Sequence, residues 1–330
     1  MLSIDRKDKE ILYQLDLDSR QSNSQIARKV RLSKEVVGYR IGRMQKEGII
    51  QGFYTLVDIT KLGYLNGRIF FKFKNISPEE EREFHQYFMR HKSSWWVNSI
   101  SGSFSDSGIA FWLRDNNGFH ALKEEILEKY RDKIEFFRES FYARIHVWRK
   151  SYLTSKEEKK KYNLIPGNSQ PVEFDAYDVK LLATLAENAR IPLVELAKQT
   201  GLSVTTTKYR LQKLKQKGVI LGFRPRIDLS KIGYYWYKAE FQLEDYSKKP
   251  AMLAYFNSHP NIVWAYESIG GGTDIELEAE VESYEKFREL IDALRAKFSR
   301  AIRTYVYYLW SAEYKIVFFP SEEFFEKKEK

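Results

Sequence analysis

"LSKEVVGYRIGRMQKEGIIQGF", residues 32–53, recurs in altered form as "LSVTTTKYRLQKLKQKGVILGF", residues 202–223. The offset of 170 holds without a gap over residues 4–64 and 174–234, where 18 of 61 positions are identical. Many of the others exchange like for like, such as Ile11 with Leu181 and Met44 with Leu214. A match of that length at one fixed offset marks a duplicated unit. The question it raises is what each copy holds.

Each copy carries the punctuation of three helices. Asp5 with Asp8, and Asp175 with Asp178, have capping-box spacing ahead of the apolar sets Ile11, Leu12, Leu15 and Leu181, Leu182, Leu185. A second, short helix carries Ile26, Ala27 and Val30, and its counterpart opens at Pro192, a favourable first helical position. Ser33 and Ser203 cap a third helix that ends before Gly48 and Gly218. The following "IIQGFYTLVDI" and "VILGFRPRIDL" read as strands, the wing beside each set of helices.

The third helix of each copy is the informative one. Val37, Ile41 and Met44 fall on one face, as do Thr207, Leu211 and Leu214. The opposite face of the first shows Glu35, Tyr39, Gly42 and Lys46, flanked by Gly38 and Arg43 and opened by Lys34. That of the second shows Thr205, Tyr209, Gln212 and Gln216, flanked by Lys208 and Lys213, with Thr206 in its first turn. A helix entering the major groove needs this mixture, cations for phosphates and short or amide side chains for base edges. Arg43, Lys46, Lys208, Lys213 and Lys215 are the expected phosphate or guanine contacts, with Tyr39 and Tyr209 packing on the backbone. Arg40 and Arg210 lie nearer the core face, where a phosphate contact and an internal ion pair both fit.

Charge points the same way. The 330-residue chain carries a net +10. Residues 1–63 hold 12 basic and 8 acidic groups, residues 175–233 hold 11 and 5, and the remainder holds 32 of each. The whole positive excess therefore sits in the two repeated segments, as in a polyanion-binding module on a neutral body. The chain has no cysteine, hence no disulfide framework, thiolate metal site or cysteine nucleophile. No long apolar run suggests a membrane span, and the charged N-terminus lacks a signal-peptide core. A cytoplasmic location, no membrane partner, no metal and no cofactor are expected.

After each repeat come alternating strand and helix patterns. The first runs from "GRIFFKFKN" through "SPEEEREFHQYFMRH", "SWWVNSIS", "SGIAFWLRD" and "GFHALKEEILEKYR" to "IEFFRESFYARIHVWRK". The second runs in the same order from "YYWYKAEFQLE" to "RTYVYYLWSAEYKIVF". This β-α-β-β-α-β order is ferredoxin-like, an antiparallel sheet with helices on one face. Aromatic strands such as "YVYYLW" imply that the other face is covered by the second half or by a second chain. The fold class is α+β, with two winged helix-turn-helix and two ferredoxin-like domains in tandem. The expected boundaries are a winged unit at 1–63, an assembly module at 64–152 and an exposed linker at 153–173. A second winged unit follows at 174–233, then an assembly and effector module at 234–320 and a charged tail at 321–330.

With "LSxxxVxxRIxRMxxEGIIxGF" ahead of a βαββαβ module and a Gly-x-x-Asp turn, the chain resembles the Lrp/AsnC family of transcription regulators. "FDAYDVKLLATLAENARIPLVELAKQTGLS" and "IGGGTDIELEAEV" carry the match in the second half. The first half departs from it, with Arg31 for the usual glycine before "LS" and one extra residue in "SGSFSDSG". The resemblance implies binding of double-stranded DNA through the winged helices and assembly through the βαββαβ modules. It also implies an amino-acid or other small-molecule effector near the Gly-x-x-Asp turn, here Gly271 and Asp274, with Gly102 and Asp106 as the first-half counterparts. Two copies in one chain would form an intramolecular pseudo-dimer, or each half would pair with a second chain in a homo-oligomer. The outward helix faces differ, so the expected DNA site is asymmetric.

An enzyme reading stands beside this one, because the same architecture resembles the siroheme decarboxylases, which act on a tetrapyrrole. Such a site needs arginines and histidines for carboxylates, and Arg144, His146 and Arg149 form the best cluster. Their alternation with Ile145 and Val147 is also what any half-exposed strand shows. His91 and His259 occupy corresponding helix ends, where a histidine ordinarily serves the last carbonyls. With the charge concentrated on the helix-turn-helix segments, the expectation is a regulator with no catalytic residues and no enzymatic activity.

Overall fold

A computed structural model describes residues 4–102, 105–154, 162–320 and 322–325. The first winged unit comprises α1 (Arg6–Leu17), α2 (Asn23–Val30), α3 (Lys34–Lys46) and the strand β1 (Ile50–Val57). Its module follows as β2 (Leu65–Phe73), α4 (Pro78–Arg90), β3 (Ser94–Ser101), β4 (Ser107–Leu113), α5 (Asn116–Tyr130) and β5 (Ile134–Trp148). A short strand β6 (Tyr162–Ile165) connects the halves. The second unit comprises α6 (Ala176–Glu187), α7 (Leu193–Thr200), α8 (Val204–Gln216) and β7 (Ile220–Ile227). Its module is β8 (Tyr235–Leu243), α9 (Lys249–Ser258), β9 (Ile262–Gly270), β10 (Ile275–Val281), α10 (Tyr284–Phe298) and β11 (Ile302–Ile316). The expected α+β tandem is what forms.

Local chemistry sets the winged units. The Asp8 amide donates to Asp5 Oδ1 at 2.8 Å and the Asp5 amide to Asp8 Oδ2 at 3.1 Å, closing a capping box on α1. A cap of this kind contributes about 1 kcal/mol. Ile11, Leu15, Ile26, Val37, Ile41 and Met44 fill the space between the three helices. The departure at Arg31 has a visible cost: it closes α2 at φ 57°, a left-handed conformation that Gly201 adopts freely in the other copy.

The two modules do not form separate sheets. The strands run β2-β4-β3-β11-β8-β10-β9-β5, and β5 pairs back onto β2, so eight strands close into a barrel. The contacts between halves are β3 with β11 and β5 with β9, each joining an edge of one module to an edge of the other. Closure removes the unpaired edges that either module alone would expose. The long strands make it possible: β5 pairs with β2 at residues 134–141 and with β9 at 140–147. β11 does the same with β8 and then β3. The pairing left open by the sequence is thus made within the chain. Outside the barrel, α4 and α5 cover Ile69, Phe71 and Phe111, while α9 and α10 cover Phe241 and Leu277.

The barrel interior is unusually polar. On β10, Leu277 and Ala279 face the outer helices, while Glu276, Glu278 and Glu280 point inward and are buried. Buried charges need partners. Arg68 meets Glu276 at 2.7 Å, Lys238 meets Glu276 at 2.6 Å, and Arg138 meets Glu240 at 2.6 Å. Despite its burial, Arg68 and Lys238 hold the Glu276 carboxyl well below the usual range. The first module answers differently: Lys238 lies opposite Glu278, but Arg68 lies opposite Ala110. Gly108, also on β4, leaves room for the Phe70 and Trp310 rings, which a Cβ would approach to 2.9 and 3.3 Å.

Two expectations about connections change. The strands β1 and β7 pair with each other, Thr55 opposite Phe223, rather than each forming a wing within its own unit. The stretch 153–173 is only in part an exposed linker. Its residues 155–161 lie outside the described residues, but β6 extends the sheet on β5, Asn163 Nδ2 donates to the Leu221 carbonyl at 2.7 Å, and the Val172 amide donates to the Lys61 carbonyl at 2.7 Å. Of the expected charged tail, Phe324 is buried against Tyr64, its carbonyl held by Arg114 at 2.7 Å, while 326–330 lie outside the described residues.

Candidate nucleic-acid interface and interior chamber

On α3, Lys34, Glu35 and Lys46 are exposed, Gly38 is half-buried, and the Tyr39 ring is 73% exposed. On α8, Thr205, Thr206, Lys208, Gln212 and Lys213 are exposed, and Tyr209 is 63% exposed. These side chains share the solvent face of each helix. The three arginines are engaged inside their own units. Arg40 Nη1 meets Asp5 at 2.7 Å and Asp8 at 2.9 Å, and Arg43 Nη2 meets Asp8 at 2.5 Å. Arg210 meets Asp175 and Asp178, both at 2.9 Å. Of the two uses open to Arg40 and Arg210, the ion pair is therefore the one present. It ties the third helix of each unit to the capped start of the first helix.

The two units are clasped reciprocally. The Ser19 amide donates to the Phe223 carbonyl at 3.0 Å, and the Ala189 amide to the Phe53 carbonyl at 2.9 Å. Arg20 Nη1 donates to the carbonyls of Ala189 at 2.7 Å and Ile191 at 2.9 Å. Arg190 returns the contact to the Gln21 carbonyl at 3.1 Å and to Asn23 Oδ1 at 2.8 Å. Each guanidinium also lies over the partner unit's Phe223 or Phe53 ring, both at 5.6 Å. With the β1–β7 ladder, this fixes α3 relative to α8. Sequence reasoning missed Arg20 and Arg190, although both are among the identical positions of the repeat.

The Gly-x-x-Asp turn of the second half and the counterpart Asp106 lie at the barrel mouth away from the wing strands. Asp274 Oδ2 accepts from the Leu243 amide at 2.7 Å, and Asp106 accepts from the Phe73 amide and Lys72 Nζ, both at 2.8 Å. Gly102 and Gly271 have φ of 83° and 70°, and the Gly271 carbonyl accepts from Arg138 at 3.1 Å. Ser103 and Phe104 lie outside the described residues. Both aspartates are thus bonded to the neighbouring strand end, a task that needs no ligand.

The histidine and arginine candidates of the last strand are likewise engaged. Arg144 and His146 meet Glu267 at 3.2 and 2.9 Å, and Arg149 Nη1 donates to the Asp16 carbonyl at 2.7 Å. His146 and Lys249 outweigh burial and hold Glu267 at about 2. His91 and His259 close α4 and α9, each Nδ1 accepting a backbone amide two residues on, at 3.3 Å.

At the other mouth, beneath the paired wing strands, lies a chamber of about 500 Å³. Five of the seven tryptophans line it, Trp95, Trp96, Trp236, Trp264 and Trp310. Its charged lining is Glu278, Glu280, Glu313 and Asp228 against Lys150 and Arg226. Burial pushes the Glu313 carboxyl up to about 7 and raises Glu278 too. The chamber residues were legible only as strand alternation, which does not tell a solvent face from one that lines a cavity.

Comparison with known proteins places these features. A family model described as winged helix-turn-helix DNA-binding matches residues 4–51 and 174–220. A proline dehydrogenase transcriptional activator of Rhizobium radiobacter is 32% identical over 123 residues, 36% of this chain and 78% of that protein. A leucine-responsive regulatory protein of Rhizobium meliloti (strain 1021) is 43% identical over 63 residues, 19% of this chain and 40% of its own length. The solved siroheme decarboxylase NirDL superposes with a TM-score of 0.60 at 15% identity, over 97% of this chain and 96% of that one. At that identity the likeness is one of fold. It nevertheless overturns the expectation of no enzymatic activity, because a chain with this whole architecture is an enzyme. Among the described residues, no helix is long and apolar enough to cross a membrane.

Proposed function

The chain belongs to the Lrp/AsnC family of DNA-binding regulators, and from that premise we propose that it reads specific double-stranded sites with two unlike helices held in one covalent pseudo-dimer. The observation that carries this reading is the reciprocal Arg20–Arg190 clasp with the β1–β7 ladder, which presents the exposed faces of α3 and α8 as one fixed pair. Lys34, Lys46, Lys208 and Lys213 meet phosphates, Glu35, Gly38, Thr205, Thr206 and Gln212 face base edges, and Tyr39 and Tyr209 pack on the backbone. Arg40, Arg43 and Arg210 act by positioning the helices. A small-molecule response belongs to the same reading, with Gly271, Asp274, Gly102 and Asp106 as its family-implied seat. The test is binding of purified protein to fragmented genomic DNA across a salt series, with bound fragments sequenced. Enrichment of a few fragments that survives moderate salt is expected, and uniform binding that vanishes with salt would remove the sequence-specific reading.

The fold shared with the siroheme decarboxylase supports a second reading, an enzyme acting on a tetrapyrrole. Anaerobic incubation with siroheme, followed by mass analysis of the pigment, decides it: loss of carboxyl groups supports it, and unchanged siroheme removes it.

A further inference from the structure

The chamber under the wing strands has an electrostatic character opposite to the rest of the molecule. In a chain of net charge +10, its lining carries four carboxylates against two cations. Two of those carboxylates, both on barrel strands, are incompletely neutralised. Glu278 is fully buried, and its nearest cation, Lys238, stands 3.5 Å away while committed to Glu276 at 2.6 Å. Glu313 has Arg226 at 3.4 Å. Lys150, by contrast, is spent on Glu280.

Around these carboxylates stand indole and phenol rings whose faces attract cations. The chain already uses them so: Lys238 Nζ lies 4.2 Å from the centroid of Tyr266, a chamber residue, and the Arg224 guanidinium 5.6 Å from that of Trp264. Two polar atoms of the lining lack a hydrogen-bond partner, Arg226 Nε, which lies 3.4 Å from Glu313, and Trp310 Nε1. Trp310 is 5% exposed, and its Nε1–H has no acceptor. A buried donor without a partner costs free energy that a guest with an acceptor oxygen would recover.

We propose that this chamber binds a small organic cation, an amine or quaternary ammonium compound bearing a hydrogen-bond acceptor, with its charge between Glu278 and Glu313 and its acceptor on Trp310. The site is distinct from the Gly-x-x-Asp turn and from Asp106, which lie at the opposite mouth. It does not depend on the DNA-binding reading, since binding is measured without DNA.

The experiment titrates the full-length protein with tyramine, choline and agmatine, following tryptophan fluorescence and heat. The charge-reversed counterpart of tyramine, 3-(4-hydroxyphenyl)propanoate, and iron uroporphyrin III serve as anionic probes. At least one cation should saturate and quench fluorescence, and Glu278→Gln should weaken it about tenfold or more, the equivalent of losing one charged contact. Glu313→Gln, nearer solvent, gives the same readout should the buried variant not fold. Trp310→Phe should weaken the acceptor-bearing probes alone. Failure of all three cations, equal binding of the propanoate, or tight iron uroporphyrin binding unaffected by Glu278→Gln would each overturn the proposal.

Discussion

Asp16 stands where the second copy has Ala186, and Arg224 where the first has Tyr54. The two sides of the pseudo-dimer thus solve one packing problem differently. Both residues are fully buried, with Arg224 Nε donating to Asp16 Oδ1 at 2.8 Å and the Lys150 amide to Asp16 Oδ2 at 2.8 Å. Removing one partner leaves an uncompensated buried charge, so Asp16→Asn should cost about 3–5 kcal/mol in denaturant unfolding. The double variant Asp16→Ala with Arg224→Tyr installs the other side's pair and should recover most of that loss. If the single effects merely add, the two residues are not coupled. His85 offers a second residue-scale prediction. It is 3% exposed, hydrogen-bonded to Ser107 Oγ at 3.0 Å, and burial depresses it from 6.5 to about 4. The unfolded chain therefore binds this proton first, and stability should fall as pH drops from about 6.5 towards 4, then level off. The full window corresponds to about 3 kcal/mol, and His85→Gln should flatten part of it in melts taken across that range. Part of the slope should remain, because burial lowers His91 as well.

At the scale of elements, local signals were readable because they are local. Ser33, Ser77 and Ser203 cap the helices they precede, and β3 begins and ends where "SWWVNSIS" does. What a strand faces was not readable. "IELEAEV" alternates as a half-exposed strand would, yet its glutamates look into a barrel whose closure depends on strands more than a hundred residues away. The third helices were half legible: periodicity separates Lys46 and Lys208 from the core, but the Arg43–Asp8 ion pair joins two helices and leaves no mark in the period of either. That difference is testable. Lys46→Ala and Lys208→Ala should each reduce the slope of log affinity against log salt by about one unit and weaken all sequences alike. Arg43→Ala should instead lower the melting temperature by loosening α3 from α1, with a smaller change in salt slope. Equal slopes for wild type and the lysine variants would take these lysines off the phosphates.

For the whole molecule, duplication has produced a pair that is symmetric in backbone and asymmetric in chemistry. The clasp is reciprocal at Arg20 and Arg190, but the winged units carry +4 and +6, and β10 has three glutamates where β4 has Gly108, Ala110 and Trp112. Covalent linkage keeps both helices at high effective concentration, so neither must bind tightly alone. On the proposed reading, each helix reads its own half-site. The enriched genomic fragments should accordingly contain two unlike half-sites in fixed spacing, and hydroxyl-radical footprints should protect two regions of different sequence. Transferring the first helix face to the second through Thr205→Glu, Lys208→Gly and Gln216→Lys should shift selection towards an inverted repeat, at about 1 kcal/mol of helix stability for the glycine. A wild-type footprint with strict two-fold symmetry would mean that the outward differences between α3 and α8 are not read. The asymmetry would then belong to the barrel interior alone.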